Sequence, residues 1–507
     1  MKNKVVKKLG AAVLTSVMIM GITACGSEGG GQDVTENVTE NATDSIQEGQ
    51  ATDTEATASV QSEVEKPAQI TWWTHDGLNE DNGAEQWFAE YERLTGIHLD
   101  HQFIANNEYY DKLKLACASG EVPEVFDLDG TNLPLYASQG VLYDLTDLVK
   151  SSELYEKVDP EIWESVSIDG KIYAIPKDMP GATVTYVRGD WLERLGMDAP
   201  TNYDEFIEML RRFKTEIPEC DIALTAPGVK SEMYLPEFYQ GAHYGFAKVD
   251  GEWIDGFAQD DMAAAMQRMQ DAYKEGLLDM EIITNATSTC RDEWYSGNVG
   301  VFNYWSGGWG ELLQNRLSAN VPDAVTEAIE PIEGAQYLYT TLQGHCISSS
   351  VSDEKAAQIF KYFIEYMHDG GEGQVLFQSG VEGVHWEQDG NNIKPLPRLS
   401  NPAEVTGSVW MGPTNPIRPL EVTDKNFVTS EEAQKSSAIA EANAKQTPIM
   451  PVSATLNKIT ADLELEKSDI LAKVVMGEMT VEQGVAAYKE VAEELNVDKV
   501  LEELNGK

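Results

Sequence analysis

From Gln69 to Gly130 the chain alternates strand, helix, strand, helix, strand, and few folds accept that order. Gln69 to Trp73 reads as a short strand running into the polar loop Thr74-His75-Asp76-Gly77. A helix follows from about Gly83, with Trp87, Phe88, Tyr91 and Leu94 on one face and Gly96 as its C-terminal stop. Ile97 to Ile104 alternates apolar and polar residues, as strands do. Glu108 to Ser119 reads as a second helix closed by Gly120, and Glu124 to Leu128 as a third strand entering Asp129-Gly130. The order predicts an α/β unit with a parallel sheet. Ligands of such sheets bind at the carboxyl ends of strands, which singles out residues 74–77 and Asp129-Gly130.

The pattern restarts further on. Ser167 to Pro176 reads as a hairpin turned by Asp169-Gly170, a dipeptide suited to positive φ at both turn positions. Val184 to Val187 is strand-like, Asp190 to Leu195 helical with Gly196 behind it, and Thr201 is expected to cap a helix over Tyr203 to Lys214. Ile222 to Thr225 is a further strand, and Met262 to Glu275 an amphipathic helix stopped by Gly276. Gly297 to Trp305 is again strand-like and enters Ser306-Gly-Gly-Trp309-Gly310 before a helix. His345 to Ser349 and a helix from Ser352 to Met367 can return to the first unit, and the stretch from Leu463 onward is mainly helical. No internal repeat of fixed period is present.

Upstream of this body, Lys2, Lys4, Lys7 and Lys8 precede an uncharged segment, Leu9 to Ile22, that is short of the roughly 20 apolar residues needed to cross a bilayer. It reads as an export signal. It ends in Ile22-Thr23-Ala24-Cys25-Gly26, which resembles the lipobox of bacterial lipoproteins, so residues 1–24 are expected to be removed and Cys25 to carry the lipid. Stable anchoring takes two acyl chains. Residues 25–66 are rich in Ser, Thr, Glu, Asp, Gln, Gly and Ala, with almost no large apolar residue; they form no core and, as a flexible coil, span about 35 Å. The expected location is the extracellular face of the cell membrane.

The 507 residues carry 85 acidic and 37 basic side chains, a formal charge of −48. Such a chain repels nucleic acid and anionic headgroups, and most of these carboxylates are expected to be solvated surface. Cys117, Cys220, Cys290 and Cys346 are far apart, show no metal-ligand spacing and are read as reduced and buried. Asp250 to Asp261 is acidic but lacks the spacing of a calcium loop, so no metal and no cofactor are expected.

Several segments together are similar to the extracellular solute-binding proteins of ABC importers, the family typified by maltose-binding protein, and within it the longer lipoproteins of Gram-positive bacteria. They are Ile70 to Trp73, Tyr91 to Ile97, Leu113 to Phe126, Asp169 to Pro176, Tyr186 to Gly196 with Thr201 to Phe206, and Gly297 to Trp309, in the family's order. The resemblance implies a two-lobed periplasmic-binding-protein-like fold of type II, two α/β lobes joined by crossovers with ligand in the cleft. Lobe boundaries implied in this way are 67–180 with 335–385 for the first and 181–334 with 386–507 for the second. It further implies an oligosaccharide ligand, an ABC permease as partner and a monomeric receptor that is no enzyme.

A sugar offers vicinal hydroxyls at its edge and C–H patches on its faces, so its receptor needs flat aromatic surfaces and fixed hydrogen-bonding groups. Trp73, Trp305, Trp309 and Trp386 are at expected strand ends or in Gly-flanked loops, while His75, Asp76, Asp129 and Arg188 can supply hydrogen bonds. Tyr186 matches an aromatic position that the family places in the cleft. The bland alternatives are interlobe packing for Trp305 and Trp309, a simple turn for Asp129-Gly130 and a helix-entry residue for His75. Alternation puts Trp72 and Trp73 on opposite faces, with Trp73 nearer the loop. A surface glycoside hydrolase and a receptor for a non-sugar solute such as a peptide are the competing readings. The hydrolase would need two carboxylates about 5–9 Å apart, which so acidic a chain offers without marking any pair.

Overall fold

Trp72, with no exposed surface, fixes the first of two sheets. The computed structural model describes residues 64–75, 78, 83–158, 160–177, 181–396, 426–427 and 430–506, all within one unit that runs from Glu63 to Lys507. Cys25, the expected signal and the expected spacer up to residue 63 are outside the described residues; Val64 to Lys66, expected as spacer, instead pack on the first lobe, where Val64 O accepts from Tyr362 Oη at 2.8 Å and Lys66 Nζ donates to Thr95 O at 2.5 Å. Strand β1 (Gln69–Thr74) is followed by α1 (Ala84–Thr95), β2 (His98–Phe103), α2 (Asn106–Ser119) and β3 (Val125–Asp129), the order read from the sequence. Gly96 ends α1 at φ 71° and Gly120 ends α2 at φ 77°. β1 pairs in parallel with β2 and β3, so Trp72 is opposite His101 on one side and Val125 on the other.

After α3 (Leu133–Ser138) the expected hairpin forms from β4 (Ser167–Ile168) and β5 (Lys171–Ile172), with Asp169 at φ 53° and Gly170 at φ 76°. Strand β6 (Ile175–Pro176) closes this part of the chain. The second sheet then begins with β7 (Thr183–Arg188), α4 (Gly189–Leu195), α5 (Tyr203–Glu216) and β8 (Ile222–Thr225). Helix α5 is capped by the Asn202 side chain, which accepts from the Glu205 N–H at 3.0 Å. Thr201, the expected cap, instead donates its own N–H and hydroxyl to the Glu205 carboxylate. Helix α6 (Pro236–Tyr239) leads to a hairpin of β9 (Phe246–Val249) and β10 (Glu252–Asp255), turned by Asp250-Gly251. Then come α7 (Asp260–Lys274), α8 (Thr287–Ser296), β11 (Val299–Trp305), α9 (Gly308–Asn320) and β12 (Thr326–Ile329).

The second sheet runs β12-β7-β11-β8 and is mixed: β11 is parallel to β8 but antiparallel to β7, which is also antiparallel to β12. Gly300 lets this sheet meet its helices closely, since a Cβ there would be 2.6 Å from the Phe213 ring of α5. The chain next returns to the first sheet as β13 (Gln343–Ile347), antiparallel to both β3 and β6, giving the order β2-β1-β3-β13-β6. Helix α10 (Asp353–Ile359) continues into the π-helical stretch Phe360–Glu365, whose Phe363 packs edge-on against Trp72 at 5.0 Å. Strands β14 (Trp386–Asp389) and β15 (Asn392–Pro395) follow. Helices α11 (Glu431–Asn443), α12 (Leu456–Val475), α13 (Val481–Glu494) and α14 (Val497–Leu504) end the chain. Leu463, Ile470, Leu471, Val474 and Tyr488 of α12 and α13 share one core with Phe206, Met266 and Val301 of the second lobe. Cys220, Cys290 and Cys346 are buried and Cys117 half-buried, all unbridged, so Cys117 is less enclosed than its sequence suggests.

Among the described residues, three segments touch both lobes at one edge. The chain leaves the first sheet at Lys177, whose N–H donates to Gln343 O at 2.8 Å, and joins the second at Ala182, bridged to Tyr339. Thr340 N–H donates to Gly181 O at 2.9 Å, and Tyr339 N–H to Lys445 O at 2.9 Å. Residues Ile449 to Val452 continue along this edge and line a groove with Pro134, Ala137 and Tyr173 of the first lobe.

Each sheet encloses one polar network. In the first, the Asp127 carboxylate accepts from Lys177 Nζ at 3.2 Å and contacts His345 Nδ1 at 2.7 Å, with all three groups buried. Burial alone would push the Asp127 carboxyl up; Lys177, and then His345, outweigh it and hold it well below the usual carboxylate range. In the second, Glu237 of α6 accepts from the Thr185 hydroxyl, which in turn accepts from Asn303 Nδ2 at 2.8 Å. Burial pushes Glu237 up to about 7, against the weaker downward pull of Thr185.

The sign of the Glu237 contribution follows from linkage. Its folded value is raised, so the folded chain holds a proton that the unfolded chain releases above about pH 4.3, and stability falls by about 1.4 kcal/mol per pH unit from there to about 7, then levels. Glu237→Gln should remove this slope. Urea midpoints measured from pH 5 to 8 should decline less in the variant than in the parent, and parallel curves would refute the assignment.

Candidate functional site

Strand direction gathers the candidate residues. β1 and β3 are parallel and end at Thr74 and Asp129; β8 and β11 are parallel and end at Thr225 and Trp305. The crossover segments touch both sets of ends. A Cβ on Gly130, just past β3, would be 2.8 Å from Thr341 Cβ, and one on Gly181 would be 3.4 Å from the Trp305 ring. The carboxyl ends of the two sheets therefore face one hinge, the place where open α/β sheets bind ligands.

On the first lobe, Trp73 is half-buried while its neighbour Trp72 is enclosed, as alternation requires. His75 is 6 % exposed, and its ring is 4.6 Å from that of Tyr109. Neither of its ring nitrogens has a hydrogen-bond partner among the described residues, so the imidazole retains a free donor and a free acceptor. Asp76 is outside the described residues. The half-buried Asp129 carboxylate accepts from Tyr110 Oη at 2.7 Å and from the Asn132 N–H at 2.8 Å. It thus braces the turn into α3, the bland reading of Asp129-Gly130.

On the second lobe, Trp305 closes β11 and is half-buried. Trp309, in the first turn of α9, is half-buried too, its ring 5.0 Å edge-on from Tyr304. Three other candidates are buried and engaged by internal partners, against the expectation of open side chains. Tyr186 is 1 % exposed and donates its hydroxyl to Trp305 O at 2.9 Å, so it props the strand that carries the tryptophan. Arg188 is at the end of β7 away from the crossover; it forks onto Asp190 at 2.8 and 2.7 Å, donates to Gly297 O at 2.6 Å and covers the Trp191 ring at 4.3 Å. Each of these acceptors is an internal partner, and burial leaves the guanidinium no solvent face. Trp386 is 5 % exposed and donates its indole N–H to Gly380 O at 2.9 Å. Neighbouring His385 packs against the Gly83 turn before α1, so this hairpin is part of the first lobe's packing.

Sequence reasoning missed Arg291 of α8. Its Nη1 donates to Tyr304 Oη at 2.8 Å, and its guanidinium is 5.2 Å from the Trp309 ring centre. No spacing signal marks it, because the contact joins residues on a helix, a strand and a second helix. Near the end of β8, the single Thr225 hydroxyl donor is within reach of Glu293 at 2.8 Å and Asp279 at 3.1 Å, and Asp279 accepts from Asn285 at 2.6 Å. Burial raises Glu293 above its ordinary range.

Two half-buried tryptophans and a guanidinium on the second lobe, and on the first an imidazole without hydrogen-bond partners among the described residues, are the candidate groups at this end of the sheets. Among the described residues no group of three or more potential metal ligands occurs. The fold is shared: the solved alginate-binding protein AlgQ2 without calcium ion superposes with a TM-score of 0.67 at 20% identity, over 87% of this chain and 98% of that one. Lipoprotein LipO of Bacillus subtilis (strain 168) is 24% identical over 319 residues, 58% of this chain; the match spans 63% of LipO, under two thirds of its length. The polygalacturonan/rhamnogalacturonan-binding protein YtcQ of the same organism is 21% identical over 403 residues, 76% of this chain and 79% of that one. The family described as bacterial extracellular solute-binding protein matches residues 76–360, from the loop after β1 to the helix behind β13. That match covers more than half of the chain, and the chain belongs to the bacterial extracellular solute-binding proteins.

Proposed function

We propose that the protein captures an oligosaccharide or sugar derivative between its lobes and passes it to an ABC permease. The observation that carries this reading is the pair of half-buried tryptophans, Trp305 and Trp309, at the carboxyl end of the second sheet, with Trp305 leaning on crossover residue Gly181. In this reading Trp73, His75 and Asp129 supply the first lobe's share of the surface, Asp76 is a candidate by sequence alone, and YtcQ and AlgQ2, named for polysaccharide ligands, also support it. The lobes consist of residues 64–177 with 343–396 and residues 181–338 with 430–506, and close by hinge motion. Closure has to be driven by ligand; a receptor closed without it would signal falsely to the permease.

The test is a panel of oligosaccharides scored by melting temperature and by recovery of the sugar. A narrow set should raise the melting temperature and be recovered intact. A shortened sugar would establish the hydrolase instead, and stabilisation by peptides alone would establish the non-sugar receptor. Trp305→Ala should weaken binding of the selected sugar at least tenfold, about 1.4 kcal/mol, with the fold kept. Normal binding by both Trp305→Ala and Trp309→Ala would place the ligand elsewhere.

The same reading gives Cys25 a role. A lipid on Cys25 and the acidic stretch to Lys66 tether the receptor at the outer face of the membrane, which raises its effective concentration at the permease. Cys25→Ser should release an intact, sugar-binding protein into the medium and lower uptake. Undiminished retention in the membrane fraction would exclude the anchor.

A further inference from the structure

Among the described residues Arg291 has no acidic partner, in a chain with more than two carboxylates for every cation. Five of the eight arginines among the described residues, Arg93, Arg188, Arg194, Arg211 and Arg212, pair with a carboxylate. Arg268 donates to two backbone carbonyls. Arg291 makes neither kind of contact: it is half-buried, and its one hydrogen bond goes to the Tyr304 hydroxyl, which leaves most of its five N–H donors unused. Arg316 also lacks an acceptor, but it lies over Tyr295 two helical turns beyond Trp309, about 10 Å from the carboxyl end of β11.

Position sets Arg291 apart. Helix α8 ends at Ser296 and the chain turns back as β11, so the first turns of α8 lie toward the same end of the sheet as Trp305. Helix α9 starts from that end, with Trp309 in its first turn. The guanidinium is held between them by Tyr304, 5.9 Å from that ring centre and 5.2 Å from that of Trp309. The nearby acids Asp279 and Glu293 are turned to Thr225 and Asn285 instead.

We propose that Arg291 receives a carboxylate of the ligand, so that the captured sugar is an acidic one, a uronate-containing oligosaccharide whose ring packs against Trp309. This rests on the sugar-receptor reading above and names the ligand class of the same site. A planar guanidinium presents paired N–H groups that match the two oxygens of a carboxylate, and partial burial beside aromatic faces strengthens the pair. The acidic protein surface does not prevent it, because charges more than about 8 Å away are largely screened at physiological ionic strength.

The full mature chain would be titrated calorimetrically with oligogalacturonate and mannuronate trimers and with the carboxyl-reduced counterparts of the same trimers. At least one uronate trimer should bind tenfold or more tightly than its reduced counterpart. Arg291→Gln should bring the two within about threefold, and Arg291→Lys should keep only part of the preference, since it retains charge without the fork. Far-UV circular dichroism and melting temperature confirm that both variants fold. Equal binding of acidic and reduced trimers by the parent chain overturns the proposal and leaves the sugar reading intact, as does a preference that survives in Arg291→Gln. Failure of every sugar in the wider panel removes the sugar reading and this assignment with it.

Discussion

The ion pair between Asp127 and Lys177 decides where the first lobe ends and the hinge begins. Removing both charges from water costs several kcal/mol, and the interaction is tolerable only with good geometry and further hydrogen bonds. Here Asp127 is in the middle strand of the first sheet, His345 faces it from the next strand, and Lys177 is the last described residue before the crossover. Misregistration of β13 by one residue would turn His345 to the other face and leave Asp127 short of a partner. The network therefore favours a single register for the strand that returns from the second lobe. It also pins the crossover by its side chain as well as by the backbone bond from Lys177 to Gln343.

Everything at the cleft inherits that register. With Gln343 opposite Asp129, the segment Tyr339 to Leu342 passes directly over the end of β3, where Gly130 admits Thr341 because it has no Cβ. The same segment bridges to Ala182, and Ala182 O accepts from the Ser306 N–H at 2.9 Å just after Trp305. A chain of backbone contacts thus runs from the first sheet's buried charges to the tryptophan of the second. Tyr186 completes it from beneath by holding the Trp305 carbonyl.

Local elements were legible because periodicity and stop signals agree in this sequence. Gly96 and Gly120 ended the first two helices where expected, and Asp169-Gly170 turned its hairpin. Parallel pairing in the first sheet followed from the alternation of elements, whereas the mixed second sheet did not, since pairing between strands distant in sequence leaves no local trace. The site was legible only at strand ends. Trp305 and His75 stand out as candidates because one ends a strand and the other directly follows one, each strand having a direction that the chain order fixes. Tyr186 and Arg188 misled because β7 is buried at every position, so alternation offers no face to choose, and because this strand runs away from the hinge, which carries Arg188 to the far end. Trp386 looked unclaimed in its Gly-flanked loop, yet an acceptor six residues earlier, Gly380 O, takes its indole N–H. Arg291 carried no signal; its significance is in the acid it lacks.

The proposed ligand surface borders the hinge at Trp305, and this would couple occupancy to closure. A Cβ at Gly181 would already be in ordinary contact with the Trp305 ring, so any ring stacked on Trp305 is bound next to the crossover, where small changes in φ and ψ swing a whole lobe. Ligand bound to the second lobe alone shifts no equilibrium between open and closed forms. The shift requires contacts that exist only when the first lobe has arrived, and moving the population from one part in a hundred to ninety-nine takes about 5.5 kcal/mol of such contacts. An imidazole with unfilled hydrogen-bonding capacity at the end of β1 is suited to that purpose. His75 has no hydrogen-bond partner among the described residues, so in the proposed reading a hydroxyl reaching it on closure would add a hydrogen bond, whereas those already made by Asp129 would remain the same in both states.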